Sequence, residues 1–220
     1  ILVNNMQAKP GYILQKGDII RLVINNEFQH DESVLPEKMK IKVIYEDDYI
    51  IGINKPSGLV VHPGVKNKKG TLVNGLIDQF ENLSDVNGKF RRGIVHRLDA
   101  DTSGVLLVAK TNDAHEWLSK QFKDRSVSKT YVSITWGKWK DQSGKTEGWI
   151  SRKKSDPTTY QLNDSDQYGK HSITNYKVEK QYANFAKVLF YPITGRTHQI
   201  RIHSSHCCLL YTTPSPRDSA

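Results

Sequence analysis

The nonapeptide His96-Arg97-Leu98-Asp99-Ala100-Asp101-Thr102-Ser103-Gly104, HRLDADTSG, leads directly into the apolar run GVLLVA at 104–109. Six residues are few for a helix, and the run is too apolar for a surface, which predicts a buried strand. The polar residues before it must therefore lie near the edge of the core. A carboxylate there is costly unless an arginine or backbone amides satisfy it. An isolated aspartate in such a stretch more often caps a turn, so the candidate site depends on the surrounding sequence.

Two other segments combine turn-forming glycines with charged residues beside apolar runs. They are KPSG at 55–58 and TGRTHQIRIH at 194–203. Loops held by a rigid sheet are where binding and catalytic residues concentrate. The three segments are therefore the candidates for one functional site.

The regions between these segments alternate between strand and helix patterns. Alternating apolar residues predict a hairpin over 41–54, and Thr71 stands where the N-cap of a helix would lie. A second helix is expected over 112–123, with Ala114, Trp117, Leu118 and Phe122 as its buried stripe. Further strands are expected at 131–136, 172–178 and 185–191. These patterns predict an α+β fold.

The amino-acid composition limits the classes of protein to which the chain can belong. The chain has 220 residues, 37% of them hydrophobic, enough for one catalytic core and a small appendage. No apolar run reaches the length of a membrane span, and the opening ILVNN lacks signal-peptide features. The two cysteines, Cys207 and Cys208, are adjacent and cannot link distant parts of the fold. We expect a soluble, monomeric, cytoplasmic protein without membrane contact.

The positive charge is concentrated in one block. The formal net charge is +9, and residues 120–154 hold ten basic and three acidic residues together with Trp136, Trp139 and Trp149. Cations interleaved with aromatic rings are typical of a surface that binds nucleic acid through phosphates and stacking. A solvated hairpin with lysines for solubility explains the block about equally well.

The nonapeptide, read as HRLD, two residues and TSG, resembles the signature of the RluA/RluD family of RNA pseudouridine synthases. VIYEDDYIIGINKPSGLVVHPG, KTYVSITWG and TGRTHQIRIH resemble further segments of that family and follow its order, so the resemblance runs from about residue 41 to about residue 205. It implies a catalytic domain on a mixed, largely antiparallel sheet with flanking helices. It also implies conversion of uridine to pseudouridine in RNA without a cofactor.

The resemblance also implies roles for individual residues. Asp99 corresponds to the catalytic aspartate, Tyr131 to the active-site tyrosine, and Arg201 to the basic residue that pairs with the aspartate. Arg97 corresponds to the arginine that fills the space left by a flipped base. Whether the aspartate attacks the sugar or acts as a base stays open. The residues expected to contact substrate are Arg97, His96, Thr102, Arg196 and Lys55, although His96, like His62, also fits a structural hydrogen-bonding role.

The expected substrate is RNA, with large-subunit ribosomal RNA favoured over transfer RNA. A non-catalytic RNA-binding fragment is the main alternative, and a glycoside or nucleoside hydrolase with Asp99 and Asp101 as paired carboxylates is another. His198, His203, His206, Cys207 and Cys208 fit no common zinc spacing, so no metal is expected.

The expected domain organisation has four parts. Residues 1–24 resemble the C-terminal half of a ribosomal-protein-type RNA-binding module, and 25–40 have the composition of a linker. The catalytic domain is expected over 41–205, incomplete at its C-terminal end, and 206–220 form an atypical tail expected to be disordered. Both ends therefore look truncated.

Overall fold

The computed structural model describes residues 2–8, 12–22, 34–64, 67–153, 155–156, 158–165 and 169–207. The chain divides into two compact units, Ile1–Ser33 and Val34–Ala220. The division falls within the expected linker, 25–40, of which 25–33 lie outside the described residues. Most of the expected tail, 208–220, also lies outside them.

The first unit contains a small antiparallel sheet. Its strands are β1 (Leu2–Val3), β2 (Met6–Gln7) and β3 (Ile20–Arg21), in the order β2-β1-β3. The side chain of Asn4 donates to Asp18 over 2.8 Å, which ties the turn after β1 to the approach to β3.

The second unit contains, among its described residues, two sheets, three α-helices and a short 3-10 helix at Lys89–Arg91. Its elements in chain order are β4 (Lys42–Glu46), β5 (Ile50–Lys55), α1 (Leu72–Gln79), β6 (Gly104–Ala109), α2 (Asn112–Asp124), β7 (Tyr131–Trp136), β8 (Ser143–Arg152), β9 (Tyr160–Asn163), β10 (Lys170–Gln181), β11 (Phe185–Pro192) and α3 (Gln199–His206). One sheet has the order β4-β5-β6 and the other β7-β11-β10-β8-β9, with antiparallel neighbours throughout. The predicted α+β class is confirmed.

Each sheet has its own hydrophobic cluster. Strands β5 and β6 and helix α1 share the larger one, in which Ile51, Val73 and Leu106 have no exposed surface. The smaller one lies on β10 and β11 and includes Phe190. Tyr131, the first residue of β7, packs against both clusters. The region between the two sheets is therefore where a side chain can be held from both sides.

Local sequence explains how the first two helices begin. Thr71 precedes α1 with an extended backbone, and its N–H donates to the Asn74 side chain over 3.0 Å. Thr111 accepts a hydrogen bond from the N–H of Ala114 at the start of α2. The predicted buried stripe of α2 is partly wrong, because Trp117 is 64% exposed and His115 is buried instead.

The tryptophans of the basic block do not act as one surface. Trp139 is 8% exposed, belongs to the smaller cluster, and donates from Nε1 to the Thr135 hydroxyl over 2.8 Å. Trp136 is 48% exposed on the edge strand β7. The expectation of three stacking rings is therefore wrong for Trp139, which is part of the core.

Gly93 leads the chain into the HRLDADTSG segment. Its N–H donates to Ser84 and its carbonyl accepts from the N–H of Ala109, so the backbone lies against the end of β6. Its φ is +69°, and a Cβ placed there would lie 2.6 Å from Val108 Cγ1. Only glycine allows both this conformation and this approach.

Among the described residues, no helix combines the length and apolar character that crossing a membrane requires.

Replacing Gly93 with alanine tests this approach. Gly70 is the matched control, because its φ is +68° but a Cβ there would meet nothing within 4 Å. Gly70→Ala should cost about 1–2 kcal/mol from the left-handed backbone alone. Gly93→Ala should cost a further 1–3 kcal/mol, roughly, from overpacking. Urea unfolding of both variants measures the difference, and equal losses would contradict the close approach.

Candidate active site

The turn that carries Asp99 is anchored by Lys55, the last residue of β5. Its side chain has no exposed surface, and Nζ donates to the carbonyl oxygens of Pro56, Leu59 and Ala100 over 2.7–2.8 Å. Burial lowers the pKa of Lys55, and the charge of Asp101, followed by that of Asp99, opposes this. An ammonium group has three N–H bonds, and all three are used. Lys55 therefore positions the turn, and its three N–H bonds are taken by backbone carbonyls; its expected contact with substrate stays a prediction.

Three further hydrogen bonds to backbone carbonyls complete the anchor. Gly58 N–H donates to the carbonyl of Ala100, and the Ser57 hydroxyl donates to the carbonyl of Asp101. The N–H of Thr102 donates to the carbonyl of Asp99 over 3.1 Å and closes the turn. Thr102 thus has a structural contact in the turn that carries the candidate catalytic carboxylate.

The carboxylate of Asp99 is bonded to a residue that the sequence analysis did not select. His198 donates from Nδ1 to Asp99 Oδ2 over 2.9 Å, and the two side chains are 41% and 24% exposed. His198 immediately precedes α3 in a left-handed conformation with φ +53°. The position of His198 within the charged segment TGRTHQIRIH was the only sequence signal for its contact with Asp99, because the family resemblance assigns the pairing role to Arg201.

Positive neighbours keep Asp99 ionised despite its partial burial. Burial raises the pKa of Asp99, but the hydrogen bond and charge of His198, then the charges of Arg97 and Arg201, outweigh it. The pKa of Asp99 therefore lies below its ordinary value. At neutral pH the site contains a partly buried anion, which is the form that a nucleophile or a general base requires.

Both expected arginines act electrostatically on this carboxylate. Arg97 is exposed two residues before Asp99, and Arg201 is half-buried in the first turn of α3. Their charges favour the ionised form of Asp99 less strongly than His198 does. The structure thus brings both arginines into the electrostatic environment of Asp99.

The pKa of Tyr131 is shifted in the opposite direction to that of Asp99. Burial raises the pKa of Tyr131, and the negative charge of Asp99 raises it further. The phenol therefore stays protonated near neutral pH. Since Tyr131 is half-buried between the two hydrophobic clusters, its ring is held while part of it remains accessible.

Gln199 fixes the third segment to the five-stranded sheet. Its side chain accepts from the Thr194 hydroxyl and the N–H of Arg196 over 2.7 and 2.9 Å. It donates to the carbonyl of Ile173 and the hydroxyl of Thr174 on β10 over 2.9 and 2.8 Å. These four bonds hold the residues before α3, including His198, against a rigid strand.

His96 has a structural contact, and its expected contact with substrate stays a prediction. Its Nε2 accepts from the N–H of Leu107 over 2.9 Å, and its ring stacks on Phe122 at 4.5 Å. Burial lowers the pKa of His96 to about 4, so the ring is neutral. The alternative expectation of a structural hydrogen bond fits His96. It does not fit His62 in full, because the buried Nδ1 of His62 has no hydrogen-bond partner among the described residues.

Arg196 is held at the rim of a groove beside the site. Its Nε donates to the carbonyl of His171 over 2.8 Å. The groove has a volume of about 520 Å³, and its lining includes Arg152, Tyr160 and Lys170. Arg196 therefore remains a candidate for contact with substrate.

The histidines near the C-terminal end have separate partners. His198 bonds to Asp99, and His203 Nε2 lies 2.9 Å from the Ser172 hydroxyl. Within the described parts of the chain, no three His, Cys, Asp or Glu side chains form a group that could hold a metal ion. Cys208, a member of the set considered from the sequence, lies outside the described residues.

The chain is similar to a known protein family. The model of the family described as RNA pseudouridylate synthase matches residues 48–206. An uncharacterised RNA pseudouridine synthase of Bacillus subtilis is 37% identical over 206 residues, which are 94% of this chain and 66% of that protein. The ribosomal large subunit pseudouridine synthase D of Borreliella burgdorferi is 36% identical over 194 residues, which are 87% and 59% of the two chains.

A solved structure shares the fold. Human RNA pseudouridylate synthase domain containing 1 superposes with a TM-score of 0.65 at 25% identity, covering 82% of this chain and 72% of that one. The chain spans slightly less than two thirds of the Bacillus relative and about three fifths of the Borreliella relative.

The bond between His198 and Asp99 predicts a specific response of stability to pH. Because the folded-state pKa of Asp99 is lowered, its ionised form contributes stability that is present above the unfolded pKa, about 3.9, and is lost as pH falls through the folded pKa. His198→Ala removes the bond, so the pKa of Asp99 should rise and acid unfolding should begin at higher pH. His198→Asn retains a donor and tolerates the left-handed backbone, and should restore most of the resistance.

Denaturant unfolding between about pH 3 and 7 measures this response. His171→Ala is the matched control, since His171 lies at the same 2.9 Å from Glu147 but on an exposed carboxylate. An acid transition in His198→Ala that coincides with that of the wild-type chain would contradict the assignment.

Proposed function

The chain belongs to the RNA pseudouridylate synthase family, and from that premise we propose that it isomerises uridine to pseudouridine in RNA with Asp99 as its catalytic carboxylate. The observation that carries the proposal is the ionised, partly buried Asp99, bonded to His198 on a turn anchored by a buried lysine. A partly buried charge is costly to maintain, and carboxylates with a shifted pKa beside a specific charged partner are candidates for functional sites.

The proposed reaction uses an anionic side chain and consumes no cofactor. The bond from the sugar carbon to nitrogen one of uracil breaks, the base turns while bound, and a bond to carbon five forms as the hydrogen there leaves as a proton. No electrons are gained or lost, and no group donor is consumed. An ionised Asp99 can attack the sugar carbon or remove a proton from the sugar, and either route uses the charge that His198 stabilises.

Tyr131, Arg201 and Arg97 receive supporting roles in this proposal. Tyr131 would stack on the uracil with its held ring and present a protonated hydroxyl near carbon five. Arg201 would help to keep Asp99 ionised. Arg97, which is exposed beside Asp99, would occupy the space that a flipped uridine leaves in folded RNA.

Ribosomal RNA of the large subunit is the substrate that we propose. Several relatives are named as ribosomal large subunit pseudouridine synthases, including one from Nitrosomonas europaea that is 40% identical over 187 residues. The basic block at 120–154 would contact phosphates, and the first unit would serve as an RNA-binding module. The proposal places this activity in the cytoplasm.

Two other functions make different predictions. A non-catalytic RNA-binding protein would bind the same RNA and leave it unchanged. A hydrolase would use Asp99 with Asp101 and release free uracil. The close partner of Asp99 in the structure is a histidine, which favours a single catalytic carboxylate over a carboxylate pair.

Asp99→Asn should abolish the reaction, lowering its rate by roughly a thousandfold or more, because the amide is neither a nucleophile nor a base. The assay uses unmodified bacterial large-subunit ribosomal RNA with tritium at carbon five of uridine, and counts tritium released to solvent. Asp101→Asn is the control from the same turn and should retain release.

The outcomes separate the three functions. Release by Asp99→Asn at the wild-type rate would refute the catalytic assignment. Free uracil would indicate a hydrolase, and a folded wild-type chain that binds this RNA without releasing tritium would indicate a binding protein.

RNA affinity should depend strongly on salt. If two or more phosphates are neutralised, the affinity should fall about tenfold or more between roughly 50 and 200 mM monovalent salt. Fluorescence anisotropy with a labelled transcript of large-subunit ribosomal RNA measures this fall. An affinity that stays constant across the range would remove the role assigned to the basic block.

A further inference from the structure

The groove beside Asp99 has the chemistry of a nucleotide site. Arg152 lies at the end of β8, Lys170 at the start of β10, and Arg196 in the loop before α3, and all three line it. Tyr160, the first residue of the edge strand β9, supplies an aromatic ring. None of the described lining residues is acidic. Three cations and one ring in about 520 Å³ suit a phosphate joined to a base.

The groove lies next to the candidate active site. The rings of Tyr160 and His198 meet edge to face with their centroids 5.8 Å apart, and His198 Nδ1 lies 2.9 Å from Asp99. Residues 195–197, which also line the groove, directly precede His198. A molecule that contacts Tyr160 in the groove would therefore be close to His198, which is hydrogen-bonded to Asp99.

The arrangement of the groove does not depend on a ligand to hold it in place. The guanidinium of Arg152 lies over the Tyr160 ring, 5.3 Å from its centroid. Arg196 is fixed at Nε by the carbonyl of His171 and at its backbone N–H by Gln199. Groups already ordered in this way lose little conformational entropy when they bind.

We propose that this groove holds the nucleotide next to the target uridine in the RNA strand. Arg152, Lys170 and Arg196 bind its phosphate, and its base lies against Tyr160. This inference rests on the proposed function. The groove would make the enzyme sensitive to the RNA nucleotide beside the target uridine. His198 would then have a second role, because it contacts both Tyr160 in the groove and Asp99.

Tyr160→Leu and Tyr160→Phe test the stacking contact. The leucine variant should raise KM for large-subunit ribosomal RNA roughly tenfold, with kcat at saturating RNA unchanged, because stacking on an aromatic ring is lost. The phenylalanine variant keeps the ring and should retain the wild-type KM. A leucine variant with the wild-type KM, or one in which only kcat falls, would overturn the proposal.

Arg152→Gln combined with Lys170→Gln tests the phosphate contact. This double variant should weaken equilibrium RNA binding roughly tenfold and reduce the dependence on salt. Lys40→Gln combined with Lys42→Gln is the control for charge, since both lysines are exposed and lie at or beside β4 in the other sheet. Equal affinities of the two double variants would overturn the proposal.

Cross-linking places the bound nucleotide and separates the two proposals. Tyr160 replaced by p-azidophenylalanine should cross-link, on illumination, to a nucleotide adjacent to the one that loses tritium. Cross-links only at distant nucleotides would overturn the groove assignment while leaving the proposed function intact. If the wild-type chain releases no tritium, the proposed function fails, and the affinities of the double variants still decide whether the groove binds RNA.

Discussion

The position of Asp99 depends on the buried ammonium group of Lys55. A fully buried charge is tolerated only when its hydrogen bonds are satisfied. Here two carbonyls of the turn after β5 and one carbonyl of the turn that carries Asp99 satisfy it. Because the same ammonium binds the turn after β5 and the carbonyl of Ala100, neither segment can shift without leaving a buried charge unpaired. The backbone of the turn that carries Asp99 is therefore fixed to the end of β5 through the Lys55 side chain, which gives the carboxylate a rigid support.

Gln199 provides the equivalent support on the other side of the site. It ties the residues before α3 to β10, as Lys55 ties the turn of Asp99 to β5. The hydrogen bond between His198 and Asp99 thus joins two loops that are fixed to different sheets. Tyr131 lies where the hydrophobic clusters of the same two sheets meet. The fold thus brings two segments, one anchored on each sheet, together at the carboxylate of Asp99.

The sequence predicted those helices and strands that are determined by neighbouring residues. It did not predict the contacts between residues that are far apart in the chain. The strand Gly104–Ala109 was predicted with its bounds because its six residues are few for a helix and too apolar for a surface. Helical spacing alone wrongly placed Trp117 inside, because it could not anticipate that the side chain of Asn87 lies 2.9 Å from Nε2 of His115 and lets that ring be buried. His198 was missed for a similar reason, since its left-handed backbone and its carboxylate partner arise only in the folded chain.

Asp99 and Tyr131 show how one environment moves two pKa values apart. Burial penalises the charged form of both groups, but the cations near Asp99 reverse its effect there, and the resulting negative charge adds to its effect on Tyr131. At neutral pH one group is an anion and the other a neutral phenol, the separation that assigns different tasks to neighbouring acids. If Asp99 forms a bond to the sugar carbon, its charge is consumed, and its contribution to the pKa of Tyr131 disappears. When the bond from the sugar carbon to carbon five then forms, the bond to Asp99 breaks and the carboxylate becomes an anion again, so its charge beside Tyr131 has returned by the time carbon five loses its proton.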